Sequence, residues 1–280
     1  MRRSILCMAA LALLFVSCKK DNDKPTTDSA AVTFYTQGDW QWDNPKDLSA
    51  DGTSMTDVWV LDYVGNTLVQ TIHQNDNTAS DFGTPTLNLS YGTHTLYFVA
   101  SRGLTPTLNT TDHTIVWTKP SDTFHKTLTL TVNSSTASSQ AVALDRSVAK
   151  LKLTINDAIA EGTTAFTVTP ATWYYGIDYT TGNPTNAATN QAITVSVPSS
   201  YVGQSGKFLS VFTLSGTTQW NTNVTLAATD GTNTISSVTL PNVPLQRNYS
   251  TEYSGNLFTL GGGTTLSLND TWTGTFTGTW

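Results

Sequence analysis

Apolar and polar positions alternate most cleanly between Leu144 and Ile155, in the sequence LDRSVAKLKLTI. Ala149, Leu151, Leu153 and Ile155 fall on one side of an extended chain, while Val148, Lys150, Lys152 and Thr154 fall on the other, the period of a half-buried β-strand. A helix would scatter the lysines around its axis. Upstream, Ser134 to Gln140 (SSTASSQ) has no apolar period, so the strand is expected to open a second unit after a flexible joint.

Short apolar runs recur along the rest of the chain, separated by Gly, Asn, Asp and Pro. Val32 and Phe34 share a face, and Val58-Trp59-Val60-Leu61 predicts a strand covered on both faces. Gly65-Asn66, between Tyr63-Val64 and Thr67-Leu68-Val69, predicts a hairpin turn. Leu87, Leu89 and Tyr91 alternate, Gly92 interrupts, and Leu96 to Ala100 predicts another buried strand. Leu128, Leu130 and Val132 alternate before the joint. Beyond it the same style returns in Phe166 and Val168, in Ile193, Val195 and Val197, and in Phe208 to Leu214. Val224 with Leu226 and Val238 with Leu240 continue it. No segment keeps a helical period over three turns, and Asp157 to Glu161 allows one turn at most. Roughly six or seven strands per half, with turns at this spacing, predict an all-β chain of two tandem antiparallel β-sandwiches. Abundant Thr on the outward faces suits a pleated, half-wet surface.

A length of 280 residues accommodates two domains at about 150 residues each. Only 12% of residues are charged and the net charge is −6, so the basic face that nucleic acid requires is missing. The N-terminus changes the picture further. Arg2 and Arg3, the apolar run Ile5 to Val16 and the junction Ser17-Cys18 resemble a bacterial lipoprotein signal, with Phe15 where Leu is usual. The run is shorter than the ~20 residues that span a bilayer. Cleavage would leave Cys18 as the lipid attachment residue and the only cysteine, so no disulfide, zinc site or thiol nucleophile forms within one chain. Lys19 to Ser29 is polar and contains Pro25, as expected of a tether. Asp21 and Asp23 resemble the surface-export signals of some Gram-negative lipoproteins, which implies an outer-membrane, cell-surface address. The expected layout is a signal peptide at 1–17, a tether at 18–30, sandwiches at 31–140 and 141–260, and a terminal strand at 261–280.

Three segments carry a family resemblance. Leu144 to Leu151 (LDRSVAKL) resembles the strand that opens the second domain of the fimbrillins, the subunits of type V pili. Val243 to Thr259 (VPLQRNYSTEYSGNLFT) is similar to that family's late strand, and Val58 to Val69 (VWVLDYVGNTLV) to its early hairpin. The resemblance implies two transthyretin-like sandwiches and lipoprotein export. It also implies assembly by β-augmentation: a protease removes an N-terminal strand and the open groove takes a strand from a neighbouring subunit. Implied partners are other fimbrial subunits, the outer membrane through the lipid, and a host or bacterial surface glycan or protein.

The C-terminus offers a candidate donor strand. From Leu266 to Trp280, one face carries Leu266, Leu268, Trp272, Phe276 and Trp280 and the other is almost entirely Ser, Asn and Thr. At ~3.3 Å per residue this stretch reaches about 50 Å. Uncovered aromatics on such a tail would favour aggregation. An ordinary last hairpin, bent at Gly274 and packed on its own sandwich, fits the same pattern.

Catalytic and metal chemistry find little support. His73, His94, His113 and His125 lack metal-ligand spacing. Glu161 and Glu252 are the only glutamates, and Asp76, Asp81 and Asp230 sit in turn-like stretches. Asp51-Gly52 and Asp230-Gly231-Thr232-Asn233 do not make an EF-hand. Gly261-Gly262-Gly263 is followed by neither Lys nor an apolar helix. No catalytic residue, metal or cofactor is expected. The alternative function is a glycan-binding surface lipoprotein of a polysaccharide-uptake system, with Trp40, Trp42, Trp117, Trp173-Tyr174-Tyr175 and Trp220 as stacking platforms. Alternation would leave at least one of residues 173–175 exposed.

Protease maturation in the family resembles cleavage after an Arg ahead of the first core, yet no Arg lies between Cys18 and Arg102. The sequence therefore predicts an uncleaved anchor or accessory subunit, or trimming by another specificity. N-terminal sequencing of surface-released material separates the two, and a mature start within 32–46 would exclude the uncleaved form.

Overall fold

The computed structural model of the chain describes residues 28–37, 55–259 and 274–279. The first half contributes ten strands. They are β1 (Ser29–Gln37), β2 (Asp57–Val64), β3 (Thr67–Gln74), β4 (Thr86–Ser90) and β5 (Gly92–Ser101). β6 (Thr107–Asn109), β7 (Thr114–Val116), β8 (Thr123–Val132), β9 (Ser139–Ala143) and β10 (Asp145–Arg146) follow. Most build two facing sheets, ordered β4-β1-β9 and β10-β8-β5-β2-β3. Alternation sends Val32, Phe34, Val58, Val60, Leu96 and Phe98 into the space between them, where each is at most 1% exposed. Gly65, with φ of 59°, leads the two-residue turn that joins β2 to β3, a conformation that favours glycine.

The second half contributes β11 (Val148–Ile155), β12 (Ala165–Pro170), β13 (Trp173–Asp178), β14 (Asn183–Ala188) and β15 (Ile193–Ser196). After them come β16 (Lys207–Leu214), β17 (Trp220–Thr229), β18 (Thr234–Leu245), β19 (Tyr249–Gly255) and β20 (Gly274–Thr279). Two four-stranded sheets, β16-β11-β19-β20 and β15-β12-β17-β18, enclose Leu151, Leu153, Ile155, Phe166, Val168, Val224 and Leu226. These are the two sandwiches that the alternation predicts. Pairing is antiparallel except in the β1–β9, β11–β19 and β19–β20 ladders. The lysine-bearing face of β11 is covered as well, with Val148 packed in a further core and Lys150 only 3% exposed.

A fifth sheet, β14-β13-β7-β6, joins the halves. The β6–β7 hairpin leaves the first half and pairs through β7 with β13 of the second. Behind it Leu61, Tyr63, Val99 and Trp117 meet Val148, Ile177, Tyr179, Phe212 and Leu214 in a third core. The Tyr63 and Tyr179 hydroxyls lie 2.7 Å apart there, and burial pushes the Tyr179 phenol up from its ordinary pKa.

The expected flexible joint is placed differently. Ser139–Ala143 pairs in parallel with β1, so the residues on both sides of position 140 form one strand of the first sandwich. Its polar pattern reflects a sheet edge rather than a linker. β10 still pairs with β8, and the passage to the second sandwich occurs at Ser147. Arg146 clasps the crossing: its Nε and Nη2 donate to the two carboxylate oxygens of Asp122 at 2.8 and 3.0 Å, and its guanidinium lies 4.9 Å from the Phe124 ring centroid. Both residues are buried.

Removing one partner of such a pair strands the other charge without water. Asp122→Asn is therefore expected to cost about 3–5 kcal/mol in chemical denaturation, and the apolar double replacement Asp122→Leu/Arg146→Met much less than the sum of its single changes.

Candidate functional site

β1 is the middle strand of its sheet, antiparallel to β4 from Ser29 to Thr33 and parallel to β9 from Thr33 to Gln37. Val32 and Phe34 are fully buried, and the Phe34 ring meets Phe98 edge-on at 5.4 Å. Each such side chain contributes about 1.5–3 kcal/mol through burial. A first sandwich without β1 would hold two unpaired backbone edges and two empty side-chain sites, the geometry that β-augmentation fills.

The tail forms an edge of the second sandwich. β20 is the outermost strand of its sheet and runs parallel to β19, with Tyr249 beside Gly274, Thr251 beside Phe276 and Tyr253 beside Gly278. Phe276 is half-buried and stacks on Tyr249 with centroids 5.2 Å apart and planes 24° apart. Leu266, Leu268, Trp272 and Trp280 lie outside the described residues, as do Cys18, the signal peptide and nearly all of the tether. Asp51-Gly52 and Gly261-Gly262-Gly263 also fall outside them.

Asp157 anchors the chain where it leaves β19, a role the sequence reading missed. Its carboxylate accepts from the backbone N–H groups of Leu257, Phe258 and Thr259 at 3.0, 2.7 and 2.7 Å, and from the Thr259 hydroxyl at 3.1 Å. Burial pushes this carboxyl up, but the four donors outweigh burial and hold it below the ordinary value. An Asp two residues beyond a strand was the available signal, and its partners lie a hundred residues away.

Other candidate groups have structural employment. His94 places Nδ1 2.7 Å from Asp62 and Nε2 2.8 Å from the Ser90 carbonyl, with the Ser90 hydroxyl at 3.4 Å. The residue types are those of a nucleophilic triad, but Nε2 donates to a carbonyl and so offers no base to the serine. Burial raises the Asp62 carboxyl despite His94 beside it. His73 lies 2.8 Å from Asp57, and His125 donates to the Tyr179 carbonyl at 2.7 Å. Asp230 accepts from the backbone of Thr232 and Asn233 and closes a turn. Among the described residues no three His, Cys, Asp or Glu side chains cluster to hold a metal.

The aromatic side chains expected as sugar platforms are mostly enclosed. Trp117 and Trp173 are buried, and their indole N–H groups donate to Ser101 Oγ at 3.2 Å and the Phe212 carbonyl at 2.7 Å. Tyr175 is buried too. Tyr174, the residue of that run left for solvent, is half-buried because Trp220 packs against it edge-on at 5.3 Å. Trp40 and Trp42 lie outside the described residues.

The segments at 144–151 and 243–259 become neighbours. β11 and β19 pair in parallel from Lys150 beside Ser250 to Ile155 beside Gly255, the Asn248 N–H donates to the Val148 carbonyl at 2.8 Å, and Arg146 Nη1 reaches Asn248 Oδ1 at 3.5 Å. Asn248 takes φ of 60° to make that turn.

A family model described as a family of unknown function (DUF6562) matches residues 89–279. No curated protein matches the sequence. Among solved structures, the chain is similar to a candidate adhesin from Bacteroides ovatus, at 12% identity over 82% of this chain and 88% of that one, with a TM-score of 0.49. A candidate polysaccharide-binding protein (DUF1812) from Bacteroides thetaiotaomicron aligns at 8% identity over 75% and 80%, with a TM-score of 0.47. The fimbrial anchor protein Mfa2 from Porphyromonas gingivalis aligns at 10% identity over 75% and 82%, with a TM-score of 0.42.

The Asp157 anchor has a pH signature. Because its folded pKa is depressed, its contribution is complete above the ordinary Asp value of about 3.9 and fades as pH falls through the folded value. Asp157→Asn is expected to cost about 1.5–3 kcal/mol near neutral pH, and to flatten the acid limb of stability against pH measured by thermal unfolding.

Proposed function

The chain belongs to the family of unknown function DUF6562, and from that premise we propose that it is a structural subunit of a surface fimbria, of accessory or anchor type. Cys18 carries the lipid that holds it at the outer membrane. Strand exchange with other fimbrial subunits joins it to the polymer, and the assembled surface mediates adhesion. The fimbrillin-like segments at 58–69, 144–151 and 243–259 support the family reading, and the sandwich pair supports the mode of assembly.

The observation that carries the accessory or anchor role is the seating of β1. The strand fills the centre of its own sheet and buries Val32 and Phe34, and no Arg stands between Cys18 and Arg102 to release it. A subunit whose groove is filled by its own covalently attached strand does not receive a neighbour's strand there. It still has a tail to give. Such a subunit is closed to strand receipt at its first sandwich, unlike one whose β1 has been removed, and it offers Leu266, Leu268, Trp272, Phe276 and Trp280 as the side chains that enter the neighbour.

Strand-exchanged assemblies resist detergent until boiled, so unboiled surface material containing this chain is expected to run as a ladder that boiling collapses. Trp272→Asp with Phe276→Asp is expected to abolish the ladder while circular dichroism of the isolated protein stays unchanged. A ladder that survives both changes contradicts the donor role of the tail.

A further inference from the structure

Two glycines alternate with Thr and Phe in β20, in the order Gly274-Thr275-Phe276-Thr277-Gly278. Glycine weakens a strand, and neither of these residues has the positive φ that would call for it. Space explains them instead. A Cβ placed on Gly274 would fall on the Tyr249 ring, and one placed on Gly278 would fall on the Tyr253 ring. Cross-strand register puts each glycine directly beside the tyrosine that covers it, with Phe276 between them beside Thr251. Tyr253 also packs against the core of the second sandwich, and burial raises its phenol. The Tyr253 ring is therefore held from below and does not swing aside freely. β19 thus presents two aromatic lids four residues apart, and each closes only over bare backbone, as in the rescue of edge glycines by aromatic neighbours.

We propose that the β19 edge is a strand-acceptor site that selects for glycine at two positions four residues apart, and that its ligand in trans is the 274–279 segment of a second copy of this chain. The proposal rests on reading the tail as an exchangeable strand, and it adds where such a strand is received and what admits it. Main-chain hydrogen bonding to β19 supplies affinity for any extended peptide. The lids supply selection, because side chains at the first and fifth positions collide with the Tyr249 and Tyr253 rings while an aromatic ring at the third stacks on Tyr249. The register is fixed by the same device, since a one-residue slip places Thr275 and Thr279 under the rings.

The test uses the full chain carrying Gly274→Ala and Gly278→Ala, so that its own tail no longer fits. A fluorescent peptide with the sequence of residues 271–280 serves as probe. Limited proteolysis of the variant is expected to clip the tail faster than in the unaltered chain, with circular dichroism unchanged. The peptide is then expected to bind the variant, and the same peptide with both glycines replaced by Ala is expected to bind about tenfold more weakly or worse. Adding Tyr249→Ala and Tyr253→Ala to the variant should remove that difference. Equal affinity for the two peptides, no binding of either, or a variant tail as protected as the native one would each overturn the proposal. Selective binding together with no ladder from the unaltered protein would leave the acceptor standing and remove the fimbrial reading.

Discussion

A β-sheet ends in a row of backbone donors and acceptors, and satisfying those rows is the constraint on which the rest of this structure depends. The chain meets it with its own ends. β1 enters the first sandwich as a middle strand, joining β4 and β9, which would otherwise face one another across a gap. β20 covers β19. β9 joins β1 by a parallel ladder beside the antiparallel β1–β4 pair, and β20 adds a parallel ladder next to the parallel β11–β19 pair, which is how strands from distant parts of a sequence join a sheet without a hairpin.

Between the ends, the two sandwiches share a sheet and a core. The β6–β7 hairpin and the third core hold the sandwiches together, and the Arg146–Asp122 clasp fixes the last strand of the first sandwich just before the chain crosses. The buried ion pair adds orientation where the chain passes from one sandwich to the next, because its bidentate geometry admits one arrangement of the guanidinium.

Much of this was legible from alternation alone. Val32 and Phe34, Leu151 and Leu153, and Val224 and Leu226 announce core faces because one side of each strand is dry and the other wet. The Gly65-Asn66 hairpin was equally plain, since turn chemistry is local. What escaped was non-local. The three-residue strands β6 and β7 are too short to carry a period, and the pairing of β7 with β13 depends on residues sixty positions away. Ser134 to Gln140 resembled a linker because a sheet-edge strand and its loop are as polar as one. Asp157 and Tyr253 acquire their roles only when the strand after residue 249 arrives beside β11. Of the tail, the sequence showed an apolar face including Phe276, but not that Gly274 and Gly278 on that same face fit beneath tyrosines of β19.

The claim at the centre of this account is that sheet edges completed by another polypeptide are what the molecule is for. It is tested most directly by mixing isotopically heavy and light copies, allowing assembly, and mapping cross-links by mass spectrometry. The account predicts heavy–light cross-links joining the tail of one copy to the sheet of another, present in assemblies and absent from monomers. Assemblies in which every tail cross-link stays within one copy would contradict it.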